Sequence, residues 1–127
     1  MTATAGEITV HDLNAKLGIG LDASKPIGVE GLVQSTAGDI SLQSTSGSIT
    51  VGGDGKIHAV AGKVDLVSKR GYTRVRDVFA NDDLTVISLG DVTLQGDVQS
   101  TAGDVSVTTD GNIGNGARVY AGGSIRF

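Results

Sequence analysis

The sequence predicts an all-β chain, a parallel β-helix (β-solenoid) of about six rungs with about 21–22 residues in each. Three observations lead there. Short phrases of glycine, a polar residue and then apolar, polar, apolar recur along most of the chain. The longest phrase is spelled twice, VQSTAGDISL over Val33–Leu42 and VQSTAGDVSV over Val98–Val107. Strand formers also dominate, since Val and Ile together number 24 against nine Leu. β-Branched side chains fit a pleated surface better than a helix, where their χ1 freedom is lost.

The series opens with Gly6-Glu7-Ile8-Thr9-Val10. Residues 11–32 then break the rhythm: they hold the single Pro and a short charged segment, and are expected to form an irregular rung or an extruded loop. Regular copies follow at Gly38-Asp39-Ile40-Ser41-Leu42, Gly47-Ser48-Ile49-Thr50-Val51 and Gly62-Lys63-Val64-Asp65-Leu66, with a looser copy at Gly55-Lys56-Ile57. Residues 68–83 are the second expected irregularity, and they carry four of the ten basic residues within eight positions. The pattern resumes at Gly90-Asp91-Val92-Thr93-Leu94, Gly103-Asp104-Val105-Ser106-Val107 and Gly123-Ser124-Ile125-Arg126-Phe127, with a looser copy at Gly111-Asn112-Ile113.

In each copy the apolar pair is spaced i, i+2, so both side chains face one way and the residue between them faces the other. Ile40, Leu42, Ile49, Val51, Val64, Leu66, Val92, Leu94, Val105 and Val107 are expected inside; Ser41, Thr50, Asp65, Thr93 and Ser106 are expected in water. A hairpin-built sandwich would want two-residue turns of the Asn-Gly or Asp-Gly kind. Such pairs, among them Asp54-Gly55 and Asp110-Gly111, are too few for a meander. A strand-and-turn unit three times per coil gives rungs of about 22 residues, and the two copies of the long phrase then fall three rungs apart on the same corner. Rungs stacked ~4.8 Å apart make a rod on the order of 29 Å tall over six rungs.

The whole chain, residues 1–127, is read as one solenoid segment. A net charge of −4 argues against nucleic acid as a partner, and no apolar run approaches the ~20 residues needed for membrane insertion as a helix. With no cysteine, disulfides and thiolate metal sites are excluded.

The phrases Ala-Gly-Asp-Ile-Ser-Leu and Gly-Asp-Val-Thr-Leu, repeated without cysteine and nearly without aromatics, resemble the shaft of filamentous-haemagglutinin-type exoproteins, including contact-dependent inhibition toxins. The resemblance is best over Val33 to Phe127. It implies a right-handed β-helix, secreted to the surface or surroundings of a Gram-negative bacterium through a partner outer-membrane transporter. It further implies a long stick that displays adhesive or toxic regions, with no catalytic residues of its own. The Asn-Pro-Asn-Leu signature of the secretion module is absent, so the chain is read as a piece of a longer shaft.

No cofactor and no catalytic role are expected. Gly52-Gly53-Asp54-Gly55 resembles part of a calcium-binding nonapeptide repeat, but Ile57 stands where the ligand Asp belongs. Asp39 and Asp104, three rungs apart, would be separated by ~14 Å, too far for a sugar-cleaving pair. The least bland feature is Lys69, Arg70, Tyr72, Arg74 and Arg76. If Thr73 and Val75 face inward, Tyr72, Arg74 and Arg76 share an outward face able to contact an anion such as a sulfated glycan on a host or neighbouring cell. The bland reading of the same residues is a solvated strand whose charges discourage sideways sheet pairing. Two alternatives to the shaft stay open: a carbohydrate-binding or carbohydrate-active β-helix, and a scaffold that polymerises by end-to-end self-association of its open rungs unless residues 11–32 cap one end.

The predicted faces differ sharply in what they tolerate. Val92→Asp places an unpaired carboxylate in an apolar stack and should cost several kcal/mol, whereas Thr93→Asp should stay within ~0.5 kcal/mol. Thermal melts of the two variants check this; equal losses would show the faces are misassigned.

Overall fold

The computed structural model describes residues 2–52, 55–116 and 118–127. Those residues contain no helix; they form three parallel sheets that wind into a β-solenoid of about 5–6 turns with about 21 residues per rung. The first sheet stacks Thr2–Ala5, Ile19–Ala23, Ile40–Ser44, Val64–Ser68, Leu84–Ser88, Val105–Thr109 and Ile125–Arg126. The second stacks Ile8–Val10, Ile27–Val29, Ile49–Val51, Thr73–Val75, Val92–Leu94 and Ile113–Asn115. The third stacks Leu13–Ala15, Leu32–Ser35, Lys56–Ala59, Asp77–Ala80, Asp97–Ser100 and Arg118–Ala121.

Register follows the repeated phrases. Ile40 pairs with Val64, Val64 with Leu84 and Leu84 with Val105, so the two copies of the long phrase occupy the same corner three rungs apart. Strand alternation sends one set of side chains inward, where Ile40, Leu42, Ile49, Val51, Val64, Leu66, Val92, Leu94, Val105 and Val107 are all buried. The interleaved Ser41, Thr50, Asp65, Thr93 and Ser106 lie on the outer faces, exposed or half-buried between their neighbours.

Inside, side-chain size follows the shape of the rung. Ile, Val and Leu fill the strand centres, and only Ala, Ser or Thr stand where the chain leaves the third sheet (Ser35, Ala59, Ala80, Ser100, Ala121) or the first (Ala23, Ser44, Ser68, Ser88, Thr109). The buried hydroxyls hold the corners. Ser44 Oγ accepts from Gly47 N–H at 3.0 Å and donates to the Lys25 carbonyl of the preceding rung at 2.8 Å. Ser68 repeats this with Gly71 N–H at 3.2 Å and the Gly47 carbonyl at 2.8 Å. In the long phrase Ser35 binds Gly38 N–H and the Leu17 carbonyl, and Ser100 binds Gly103 N–H and the Asp82 carbonyl.

The aspartates of the same phrases act in the other direction. Asp39 Oδ1 accepts the Lys63 N–H of the following rung at 3.0 Å, and Asp104 Oδ1 accepts Ser124 N–H at 2.7 Å. Asp83 and Asp91 do the same for Asp104 and Asn112. The glycine between Ser and Asp is required by close approach: a Cβ on Gly38 would collide with Gly18 N and come within 2.7 Å of the Leu17 carbonyl carbon.

The two segments expected to be irregular are regular rungs. Across 11–32, Leu13 pairs with Val33, Ile19 with Ile40 and Ile27 with Ile49, and the segment is built into the stack rather than folded over an end as a cap. Lys25-Pro26 takes the corner where other rungs use glycine. Pro26 supplies its carbonyl to Ile8 N–H at 3.1 Å, and a corner outside the ladder does not need the N–H that proline lacks. Across 68–83, Thr73 pairs with both Ile49 and Val92, and Val78 with both Ile57 and Val98.

Thr73 is the exception inside. It occupies a second-sheet position filled by Ile27, Ile49 and Val92 on other rungs, and its Oγ1 is buried without a hydrogen-bond partner. An unmade hydrogen bond in an apolar stack is destabilising, and valine has nearly the same shape as threonine. Thr73→Val should therefore raise stability by about 1 kcal/mol, read as a higher melting temperature; an unchanged or lower value would show that the hydroxyl is satisfied.

Candidate functional site

The residues singled out in the sequence start from the corner between the first and second sheets. Val64–Ser68 ends at a buried serine whose hydrogen bonds turn the chain through Lys69, Arg70 and Gly71. Tyr72 N–H then donates to Ser48 Oγ at 3.1 Å, and its carbonyl accepts from Ile49 N–H at 3.1 Å, which aligns the following strand with the rung below. From there alternation sets the faces: Thr73 and Val75 are fully buried, and Tyr72, Arg74 and Arg76 are exposed.

The structure brings Tyr72 and Arg74 together. The Arg74 guanidinium carbon lies 5.7 Å from the Tyr72 ring centroid, a cation–π contact worth about 0.5–1 kcal/mol at an exposed site. Arg74 stands in register between Thr50 and Thr93, so the centre of the second sheet presents hydroxyl, guanidinium and hydroxyl on successive rungs. Lys69 faces elsewhere, lining a shallow hollow of about 220 Å³ on the first sheet with Val67, Ile87, Leu89 and Thr108. Arg70 is exposed in the corner, and Arg76 stands at the opposite corner, before Asp77–Ala80 begins. Among the described residues, His11 Nδ1 lies 3.4 Å from Glu30 Oε2 and an ion pair joins Lys63 to Asp65, and neither contact involves Lys69, Arg70, Arg74 or Arg76. No acidic side chain among the described residues pairs with these basic groups, which leaves them open to an outside anion.

A second hollow, about 520 Å³, lies on the second sheet over Gly28, with Val29, Glu30, Thr50 and Gly52 around it. It exists because the outward position of Ile27–Val29 carries no side chain. No backbone contact demands that glycine, since a Cβ there would meet nothing within 4 Å. Among the described residues no group of three His, Cys, Asp or Glu side chains could hold a metal ion, and of the calcium-like phrase Gly53 and Asp54 lie outside the described residues.

The outward file of the third sheet was not singled out in the sequence. There Gln34 pairs with His58, His58 with Phe79, Phe79 with Gln99 and Gln99 with Tyr120. His58 meets Phe79 edge-on at 5.9 Å between ring centroids, and Lys56 Nζ sits 5.6 Å from the Phe79 centroid. Rung lengths vary, so only the register shows that these residues are neighbours. A usable sequence signal was the outward alternation of Lys56-Ile57-His58-Ala59 and Asp77-Val78-Phe79-Ala80.

Comparison with protein-family models, with curated proteins and with solved structures returns no match for the chain.

The second-sheet basic face has a direct test. Replacing Arg74 and Arg76 with Ser should lower stability by no more than about 1 kcal/mol, read from the melting temperature, and weaken retention on immobilised heparin at low salt, where exposed charge contacts are strongest. A native chain that ignores heparin at low salt would end the anion-binding reading.

Proposed function

We propose that the chain is a segment of rigid shaft from a large secreted or surface-exposed bacterial exoprotein, of the filamentous-haemagglutinin type, whose task is to present adhesive or effector regions carried elsewhere in the parent. The observation that carries this reading is the double clamp at the corners. Serine binds the rung before it and aspartate the rung after it, and the unit recurs unchanged in Ser35-Gly38-Asp39 and Ser100-Gly103-Asp104. Such a unit serves stacking, and it makes each rung a template for the next. It also accounts for the outward aspartates in structural terms, because the carboxylates of Asp39, Asp83, Asp91 and Asp104 hold main-chain N–H groups. We read no catalytic role into them.

Export through an outer-membrane transporter belongs to the same proposal. It fits a chain without cysteine, whose rungs fold by adding to a preceding rung as they emerge. Antibody raised against the chain tests it on the bacterium that makes the protein. The expected result is a band far larger than 127 residues that is released to the medium or removed by protease from intact cells. A band confined to the cytoplasm and resistant to protease until lysis would overturn it.

A further inference from the structure

The core of this solenoid contains no aromatic ring. Every buried hydrophobic residue among those described is Ile, Leu, Val or Ala, and Tyr72, Phe79 and Tyr120 all stand on outer faces. The interior packing therefore does not use these rings. Phe79 and Tyr120, with His58, share one outward file of the third sheet, interleaved with Gln34 and Gln99. The positions are equivalent in the stack, and glutamine occupies that place on the rungs of Gln34 and Gln99.

We propose that this face binds a neutral polysaccharide lying along the solenoid axis, the rings of Phe79 and Tyr120 packing on sugar faces and the side chains of Gln34, His58 and Gln99 hydrogen-bonding to hydroxyls. Three features support that occupant. The file combines flat apolar rings with neutral donor–acceptor amides, the pairing that matches the apolar face and hydroxyl rim of a pyranose. Its step of ~4.8 Å per rung is close to the length of one sugar unit in an extended chain, so successive rungs can address successive sugars. The neighbouring file carries two charges of each sign, Lys56 beside Asp77 and Asp97 beside Arg118, which sum to zero and favour no anion. The second sheet differs, for its Arg74 has no acidic partner among the described residues.

The platform is also held ready. His58 lies edge-on to Phe79 and the Lys56 ammonium is within cation–π range of it, so the ring loses little freedom on binding. Tyr120, 57 % exposed, offers its ring to an approaching ligand without rearrangement. This inference concerns a face of the segment itself and does not depend on the shaft reading.

The test is affinity electrophoresis of the full chain through native gels that contain hydroxyethylcellulose, galactomannan, dextran or heparin, one probe per gel. At least one of the three neutral polymers should retard the chain. Phe79→Ala, Tyr120→Ala and Gln99→Ala should each weaken that retardation about tenfold or more, and Tyr72→Ala and Arg74→Ser should leave it unchanged. Phe79 is half-buried, so Tyr120→Ala, which removes an exposed ring, keeps the test informative should Phe79→Ala fail to fold. Retardation by heparin alone would overturn the proposal, as would none by any neutral polymer, or retardation that survives both Tyr120→Ala and Gln99→Ala. So would sedimentation showing that the native chain covers this face with a second copy, the association being lost in Tyr120→Ala. None of these failures bears on whether the chain is exported, which the protease experiment reads separately.

Discussion

Backbone N–H and C=O groups that leave a β-ladder at a corner must find other partners, because a buried polar group left unpaired costs free energy comparable to a lost hydrogen bond. A solenoid meets this demand on every rung. Here one buried hydroxyl answers it on both sides: Ser44 takes Gly47 N–H within its own corner and gives its proton to Lys25 of the rung before. Turning and stacking are thus one interaction. A single rung would have serines without acceptors and aspartates without donors, so corner and stack form together and stability is shared between neighbours.

The same constraint shapes the interior. Corners tight enough for a serine hydroxyl to reach an adjacent carbonyl leave space there only for Ala, Ser or Thr, while the strand centres hold branched aliphatics that interdigitate along the axis. Among the described residues no aromatic ring is buried in this cross-section. Differences in rung length are absorbed at corners: four residues join Ser68 to Thr73 and three join Ser88 to Val92, yet Thr73 and Val92 still pair.

Much of the fold was legible because the i, i+2 apolar pairs and the spacing of the glycines both report local structure. The faces of Val92 and Thr93, and the equivalence of Val33 and Val98, follow from period and interval alone. The expectation of irregularity at 11–32 failed because it relied on the glycine phrase. Lys25-Pro26 builds the corner by a different route, and Ile19-Gly20-Leu21 alternates without the usual polar residue between its apolar pair. The rung-to-rung role of Asp39 and Asp104 was not legible, since nothing local shows that the N–H they accept belongs to a residue some 20 or more positions away. The candidate sites divide in the same way. Tyr72 and Arg74 are two residues apart and could be placed together by alternation; His58, Phe79 and Gln99 meet only through register across three rungs.

Because the clamps occupy inward hydroxyls and corner carboxylates, the centres of the outer faces are left with little structural duty. The second-sheet file shows this freedom, running Gly28, Thr50, Arg74, Thr93 and Gly114 through one regular ladder. The corner Ser, Gly and Asp of each phrase therefore mark scaffold, since each copy performs the same task. Outward positions between the corners are where recognition can be written without disturbing the fold. Tyr72, Arg74, Phe79 and Tyr120 all lie outside the repeated phrase and all point outward, which separates the chemistry of binding from the chemistry of stacking within a single strand.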